Sequence, residues 1–272
     1  MIISPSAISP YKIPTFQSGG APFVGLLDLY PSAAGAYSVR RLSGVYSGSL
    51  MEIRRSSDNA LQDIGFDANG DLDTASLLSF VGAGNGFVRT WYDQSGNAIN
   101  FQQTTVSEQP QIVSSGSVLL ENGKPLISRV NGSTGLESTL SGNVNRWEFG
   151  VVSTPSGVLS TLYSEIPNDY MCIAQNGSSS TFVNGVTLNN LYSNGVAITK
   201  SRDSFYDNFL TSSILTLDAN DSGISNISFG YIPAGSIGML NMQEIIFYNS
   251  NQSGNKTGIE TNLSTYYEIT LP

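Results

Sequence analysis

The sequence predicts an all-β protein, an antiparallel sandwich or jelly roll with a few short helices, one of them C-terminal. Three observations carry this prediction. Short apolar runs recur along the chain, punctuated at fairly even spacing by Gly, Asn, Ser and Pro. No strand alternates with a long helix, so a parallel sheet is not indicated. Only 12% of the 272 residues are charged, against about 25% in typical globular domains. Ser, Thr, Asn, Gln and Gly supply the polarity instead, and they suit turns and solvent-facing strand positions.

The elements follow in chain order. Residues 1–25 read as an extended, Pro/Ser/Gly-rich arm, and residues 26–272 as one sandwich domain. In 33–48, Tyr37, Leu42, Val45 and Tyr46 lie at roughly helical spacing, which predicts a short helix ended by Gly48. Residues 50–66 read as a hairpin whose turn is "SSDN". A loop and a short helix fill 67–87, with Asp73 as N-cap and Gly82 as the stop. Strands are expected at 87–92, 124–130, 148–154, 170–175, 196–201, 213–219, 224–232 and 238–250. Ile259, Leu263, Tyr266 and Tyr267 share helical spacing, so a helix closes the chain.

Composition narrows the chemistry. A net charge of −9 repels phosphate backbones and argues against nucleic acid. The adjacent pairs Arg40–Arg41 and Arg54–Arg55 would point to opposite faces of their strands. With no histidine, His-based triads and His-ligated metals are excluded. Cys172 is the single cysteine and reads as a buried inert thiol among apolar neighbours. The first residues lack a positive start and an unbroken apolar core, so no secretory signal is expected. No apolar run approaches the roughly 20 residues a membrane helix needs.

Glycoside hydrolysis remains open, because it needs only two carboxylates. Asp93, Glu137, Glu148, Glu165, Asp169 and Glu244 are all available for it. Asp93 opens "DQSG" between Trp91–Tyr92 and Gly96. Its carboxylate suits an Asx-turn, with Gly96 taking positive φ and the two rings pinning the bend. Asp67, Asn69, Asp71 and Asp73 form a candidate non-EF calcium site, and no other cofactor is indicated. "DANDSG" (218–223) begins like an EF-hand loop, but Phe229 occupies the position that requires Glu. The Tyr-rich composition suits sugar stacking as well as protein interfaces.

Several motifs together resemble the α-L-arabinofuranosidase B catalytic-domain family. They are Tyr37 with "YSG" at 46–48, "RSSDNA" at 55–60, "YDQSGN" at 92–97, and "PQIV" with "NGKP" at 110–125. The closing stretch, 237–269, is similar to the last strand and helix of laminin-G-type domains. The resemblance implies a concanavalin A-like β-sandwich. Domains of this pattern are also similar to phage and prophage virion components. In the family, the acid aspartate lies in "GGDN" ahead of the last strand, where this chain has "FGYIPAGSIG" (229–238) and no carboxylate. The family's vicinal cysteine pair and its "MEAIYFG" nucleophile strand have no counterpart. These departures give Asp93 an architectural role and make hydrolysis by the family mechanism unexpected. The expectation is a non-catalytic phage virion protein, a capsid decoration or tail-associated component docked through its arm. It would be made without a leader and would meet other virion proteins, copies of itself and cell-surface glycans. The alternatives are an arabinofuranosidase-like glycoside hydrolase and a soluble carbohydrate-binding module.

Overall fold

The computed structural model describes residues 22–131, 134–140, 146–154, 160–165, 171–180, 183–184, 187–220, 226–230 and 238–272. The N-terminal half contributes β1 (Gly35–Ser38), β2 (Met51–Arg55), β3 (Leu61–Ile64), β4 (Gly86–Trp91), β5 (Phe101–Gln102), β6 (Gln111–Ser114), β7 (Ser117–Val118), β8 (Leu120–Glu121), β9 (Lys124–Pro125) and β10 (Leu136–Glu137). Next come β11 (Arg146–Ser153), β12 (Ser160–Glu165), β13 (Met171–Ala174), β14 (Val183–Asn184), β15 (Thr187–Ser193) and β16 (Val196–Ala197). The last strands are β17 (Ser213–Asn220), β18 (Ile227–Phe229) and β19 (Asn241–Tyr248). Among the described residues four helices accompany them, α1 (Leu26–Leu29), α2 (Thr74–Val81), α3 (Arg202–Asn208) and α4 (Lys256–Tyr267), with a 3₁₀ turn at Val106–Glu108.

Among the described residues the strands form two large antiparallel sheets. The first runs β1-β19-β11-β17-β15-β16, and the second β14-β13-β12-β18-β10-β5-β4-β2-β3 with β6 and β7 branching from β4. Directly opposed residues share a face, so Tyr37, Ile245 and Phe247 point from the first sheet toward the second. Tyr37 meets Phe101 edge-on with ring centroids 4.6 Å apart. Phe229 stacks on Phe247 at 6.3 Å and on Phe101 at 4.0 Å. These contacts join both sheets in one apolar core.

The first sheet's outer face is also buried. Helix α4 lays Ile259, Leu263 and Tyr267 over it, and Glu260 accepts from Thr216 Oγ1 at 2.7 Å. Ser38, on that face, donates to Glu244 at 2.7 Å. Arg40 holds Glu244 through two hydrogen bonds, of 2.8 and 3.1 Å, and its guanidinium lies 4.3 Å from the Tyr266 ring centroid. Burial alone would lower the Arg40 pKa, but the charge and hydrogen bonds of Glu244 override it and raise it. A strand covered on both faces loses its apolar–polar alternation.

That loss explains one correction. The helix expected at 33–48 is strand β1 followed by irregular chain. All four β1 residues are buried, while Val45, one of the spaced apolar residues, is 90% exposed. The strand expected at 124–130 is only Lys124–Pro125 plus isolated bridges at Ile127 and Ser128, because Pro125 has no N–H to extend a ladder. The strand at 196–201 stops at Ala197. Ser201 then caps helix α3 by accepting from Ser204 N, and α3 buries Phe205 and Tyr206. Of the strand expected at 224–232, Ile227–Phe229 is strand, and residues 224, 225, 231 and 232 lie outside the described residues. The hairpin of β2 and β3 and the capped helix α2 stand where they were expected: Asp73 accepts from Ser76 N, and Gly82 ends the helix at φ 67°. The all-β sandwich holds. Of the arm at 1–25, residues 1–21 lie outside the described residues. No helix among the described residues is long and apolar enough to cross a membrane.

Candidate functional site

The bend after β4 is built around Asp93. Trp91 ends that strand inside the core and donates through Nε1 to Ser38 O at 3.1 Å. Asp93, 4% exposed, accepts from Ala36 N at 2.9 Å, Ser95 N at 2.8 Å, Ser95 Oγ at 2.7 Å and Ile99 N at 3.2 Å. One carboxylate thus satisfies backbone donors on β1 and on both sides of the bend. Gly96 sits at φ 93°, a conformation that costs an L side chain strain. Gln94 adds a second bridge, accepting from Leu42 N and donating to Arg40 O. Tyr92 points outward and donates to Asp63 at 2.8 Å. Asp93 therefore faces protein donors, not a cleft.

The other candidate carboxylates separate by environment. Glu244 is fully buried against Arg40. Glu148 is fully buried and paired with Arg146 at 2.5 Å. The Glu165 side chain and Asp169 lie outside the described residues. Glu137 lines a cleft. Burial raises its pKa, and the negative charge of Glu108 on the neighbouring 3₁₀ turn raises it further. No ion-pair partner for Glu137 is present among the described residues.

The cleft holds about 590 Å³ on the outer face of the second sheet. Register explains its chemistry. Gln102 on β5 pairs with Glu137 on β10, and Glu137 pairs with Ser228 on β18. Their neighbours Phe101, Leu136 and Phe229 point into the core. Polar residues thus stand outward in a row across the strands. Ala98, Ile99 and Asn100 form one wall. These three follow the bend that Asp93 braces, and Asn100 Oδ1 accepts from Asp93 N at 3.0 Å. The floor and walls offer amide and hydroxyl groups to a ligand, with Glu137 as the acid able to exchange a proton.

The four calcium candidates do not converge. Asp67 accepts from Asn69 N and Asp71 N, Asp71 accepts from the Tyr266 hydroxyl at 2.6 Å, and Asp73 caps α2. No three Asp, Glu, His or Cys side chains gather as a metal site among the described residues. Residues 221–223 of "DANDSG" lie outside them, and Asp218 accepts from Asn190. The side chain of Cys172 is likewise outside the described set.

Comparison with known proteins follows this geometry. The pattern of the family described as "Alpha-L-arabinofuranosidase B, catalytic" matches residues 28–118. Three solved structures share the fold. An arabinofuranosidase complexed with arabinofuranosyl-α-1,2-xylobiose has a TM-score of 0.51 and 15% identity over 88% of this chain and 64% of its own. A GH54 α-L-arabinofuranosidase soaked with a cyclic sulfate inhibitor has a TM-score of 0.50 and 16% identity, covering 88% and 65%. A glutamate-to-glutamine mutant of a GH54 α-L-arabinofuranosidase, soaked with 4-nitrophenyl α-L-arabinofuranoside, has a TM-score of 0.52 and 17% identity, covering 88% and 65%. The chain spans less than two thirds of each of these structures. No curated protein matches it. These matches overturn the expectation of a phage virion component, whether capsid decoration or tail-associated. Low charge and abundant Ser, Thr, Asn and Gly reflect a surface of turns and strands, which a glycosidase and a virion sandwich share. The chain resembles the arabinofuranosidase B catalytic domain, in sequence over residues 28–118 and in fold over most of its length.

Proposed function

We propose that the protein is an arabinofuranosidase-like glycoside hydrolase and that the outer-face cleft is its sugar site. The observation that carries this reading is Glu137, an open carboxyl with a raised pKa in a cleft lined by neutral hydrogen-bonding groups. A carboxylic acid that keeps its proton above the ordinary range suits the general-acid step. Glu137 protonates the glycosidic oxygen as its bond to the sugar's anomeric carbon breaks, and water then adds its hydroxyl to that carbon while its released proton returns to the Glu137 carboxylate. Glu108, on the neighbouring 3₁₀ turn, acts through its charge on Glu137 and keeps the acid protonated until the bond breaks. Gln102 and Ser228 flank the acid and hold sugar hydroxyls.

The resemblance over residues 28–118 supports the substrate class. The test is release of 4-nitrophenol from 4-nitrophenyl α-L-arabinofuranoside. Wild-type protein is expected to hydrolyse it, and Glu137→Gln to lose about 10²–10⁴-fold in kcat/KM. A protein inert toward this and other aryl glycosides would end the reading.

A further inference from the structure

Resting on that reading, we propose that the outer face of the second sheet is an extended track for a neutral, arabinofuranosyl-branched polysaccharide chain, running from the Glu137 cleft to Tyr92. Register supplies the first ground. Asp63, Glu52, Thr90, Gln102, Glu137 and Ser228 oppose one another in turn along β3-β2-β4-β5-β10-β18. Five inter-strand steps at about 4.8 Å give a row roughly 24 Å long, enough for several linked sugar rings.

The row is furnished for sugar hydroxyls. A register shift between Glu52 and Ile53 places Arg89 as an extra residue opposite them, and such a bulge re-aims a side chain. Arg89 donates to Glu52 at 2.5 Å, and Thr90 donates to the same oxygen at 3.1 Å. The Arg89 side chain stays 37% exposed, so its remaining N–H groups face solvent. Beyond them Tyr92 offers a half-buried ring, oriented by its bond to Asp63. An aromatic face with a polar rim is suited to a sugar ring.

Ser228 supplies an independent ground at the cleft end. It lines the cleft and is 1% exposed. Its hydroxyl has no hydrogen-bond partner among the described residues. A buried hydroxyl without a partner costs free energy that a ligand's hydroxyl would recover. Charge selects the chain type. Asp63, Glu52 and Glu137 stand in the row on a protein of net charge −9, so a polyuronate would be repelled and a neutral polymer accepted.

Hydrolysis of soluble arabinoxylan is compared with that of 4-nitrophenyl α-L-arabinofuranoside. Tyr92→Ala is expected to raise the polymer KM about tenfold more than the aryl-glycoside KM. Tyr92→Phe, which keeps the ring, is expected to preserve the wild-type ratio. An equal change on both substrates, or none on either, overturns the track. Should the protein hydrolyse neither, the hydrolase reading fails, and affinity electrophoresis then tests the track alone. Glu137→Gln protein is expected to be retarded by arabinoxylan in the gel, and the same protein with Tyr92→Ala to run faster. Equal mobility of the two overturns it.

Discussion

The outer faces of the two sheets each carry a glutamate, and their fates differ. Glu244, on the first sheet, lies beneath α4 with Arg40, Ser38 and Tyr267 around it. Glu137, on the second, stands in an open cleft without an ion-pair partner among the described residues, its pKa raised by burial and by Glu108. One carboxylate is neutralised and covered, so it serves the fold. The other holds its proton more tightly than an ordinary glutamate, at a surface that a substrate can reach. Both are strand glutamates on an outer sheet face; the covering helix and the Arg40 guanidinium make the difference.

The largest expected effect is on catalysis. Glu137→Gln removes the acid from the open face and is expected to cost about 10²–10⁴-fold in kcat/KM, while the folded state, judged by circular dichroism, stays intact. The covered face answers in stability. Glu244→Ala leaves the Arg40 guanidinium buried without its counter-charge and is expected to cost about 3–5 kcal/mol, read from the shift in urea midpoint.

Asp93 lies between these extremes. Asp93→Ala strips the acceptor from three backbone N–H groups and is expected to cost about 3 kcal/mol, in the range for unsatisfied buried donors. Because Ala98–Asn100 form a wall of the cleft, KM for the aryl glycoside is expected to rise alongside. A variant whose urea midpoint matches wild type would remove Asp93 from its bracing role.

The smallest effect is at the α2 cap. Asp73→Ala is expected to cost about 1 kcal/mol. Hydrogen bonds from Ser76 lower the Asp73 pKa, so its contribution is present above the unfolded carboxylate pKa and fades as pH falls through the folded value. A cost that stays constant from pH 7 to pH 2 would contradict this assignment.

The fold was legible where one face meets water. The β2–β3 hairpin could be read from the partial alternation of its flanks around "SSDN", whereas the two-residue strands β5 and β10 were not anticipated. The fold was illegible at β1, because α4 buries the outer face that should have been polar. Helix α3 was hidden because Ser201, its cap, directly follows a short β-prone run. Glu137 could be named as one acid among six, but its distinction comes from partners distant in sequence. Gln102 and Ser228 flank it only through strand pairing, and Glu108 reaches it from a separate turn. Asp93 shows the converse, since its donors at Ser95 and Ile99 are local and the bend could be read from "DQSGN" directly.

The most direct test is the pH dependence of kcat/KM for 4-nitrophenyl α-L-arabinofuranoside, measured on wild type and Glu137→Gln. An acid that must be protonated loses activity as pH rises through its pKa. The expected alkaline limb lies above the ordinary glutamate value of about 4.3 and disappears in the variant along with most of the rate. A variant that keeps both the wild-type rate and its alkaline limb would contradict the assignment of Glu137 as the acid of the open face.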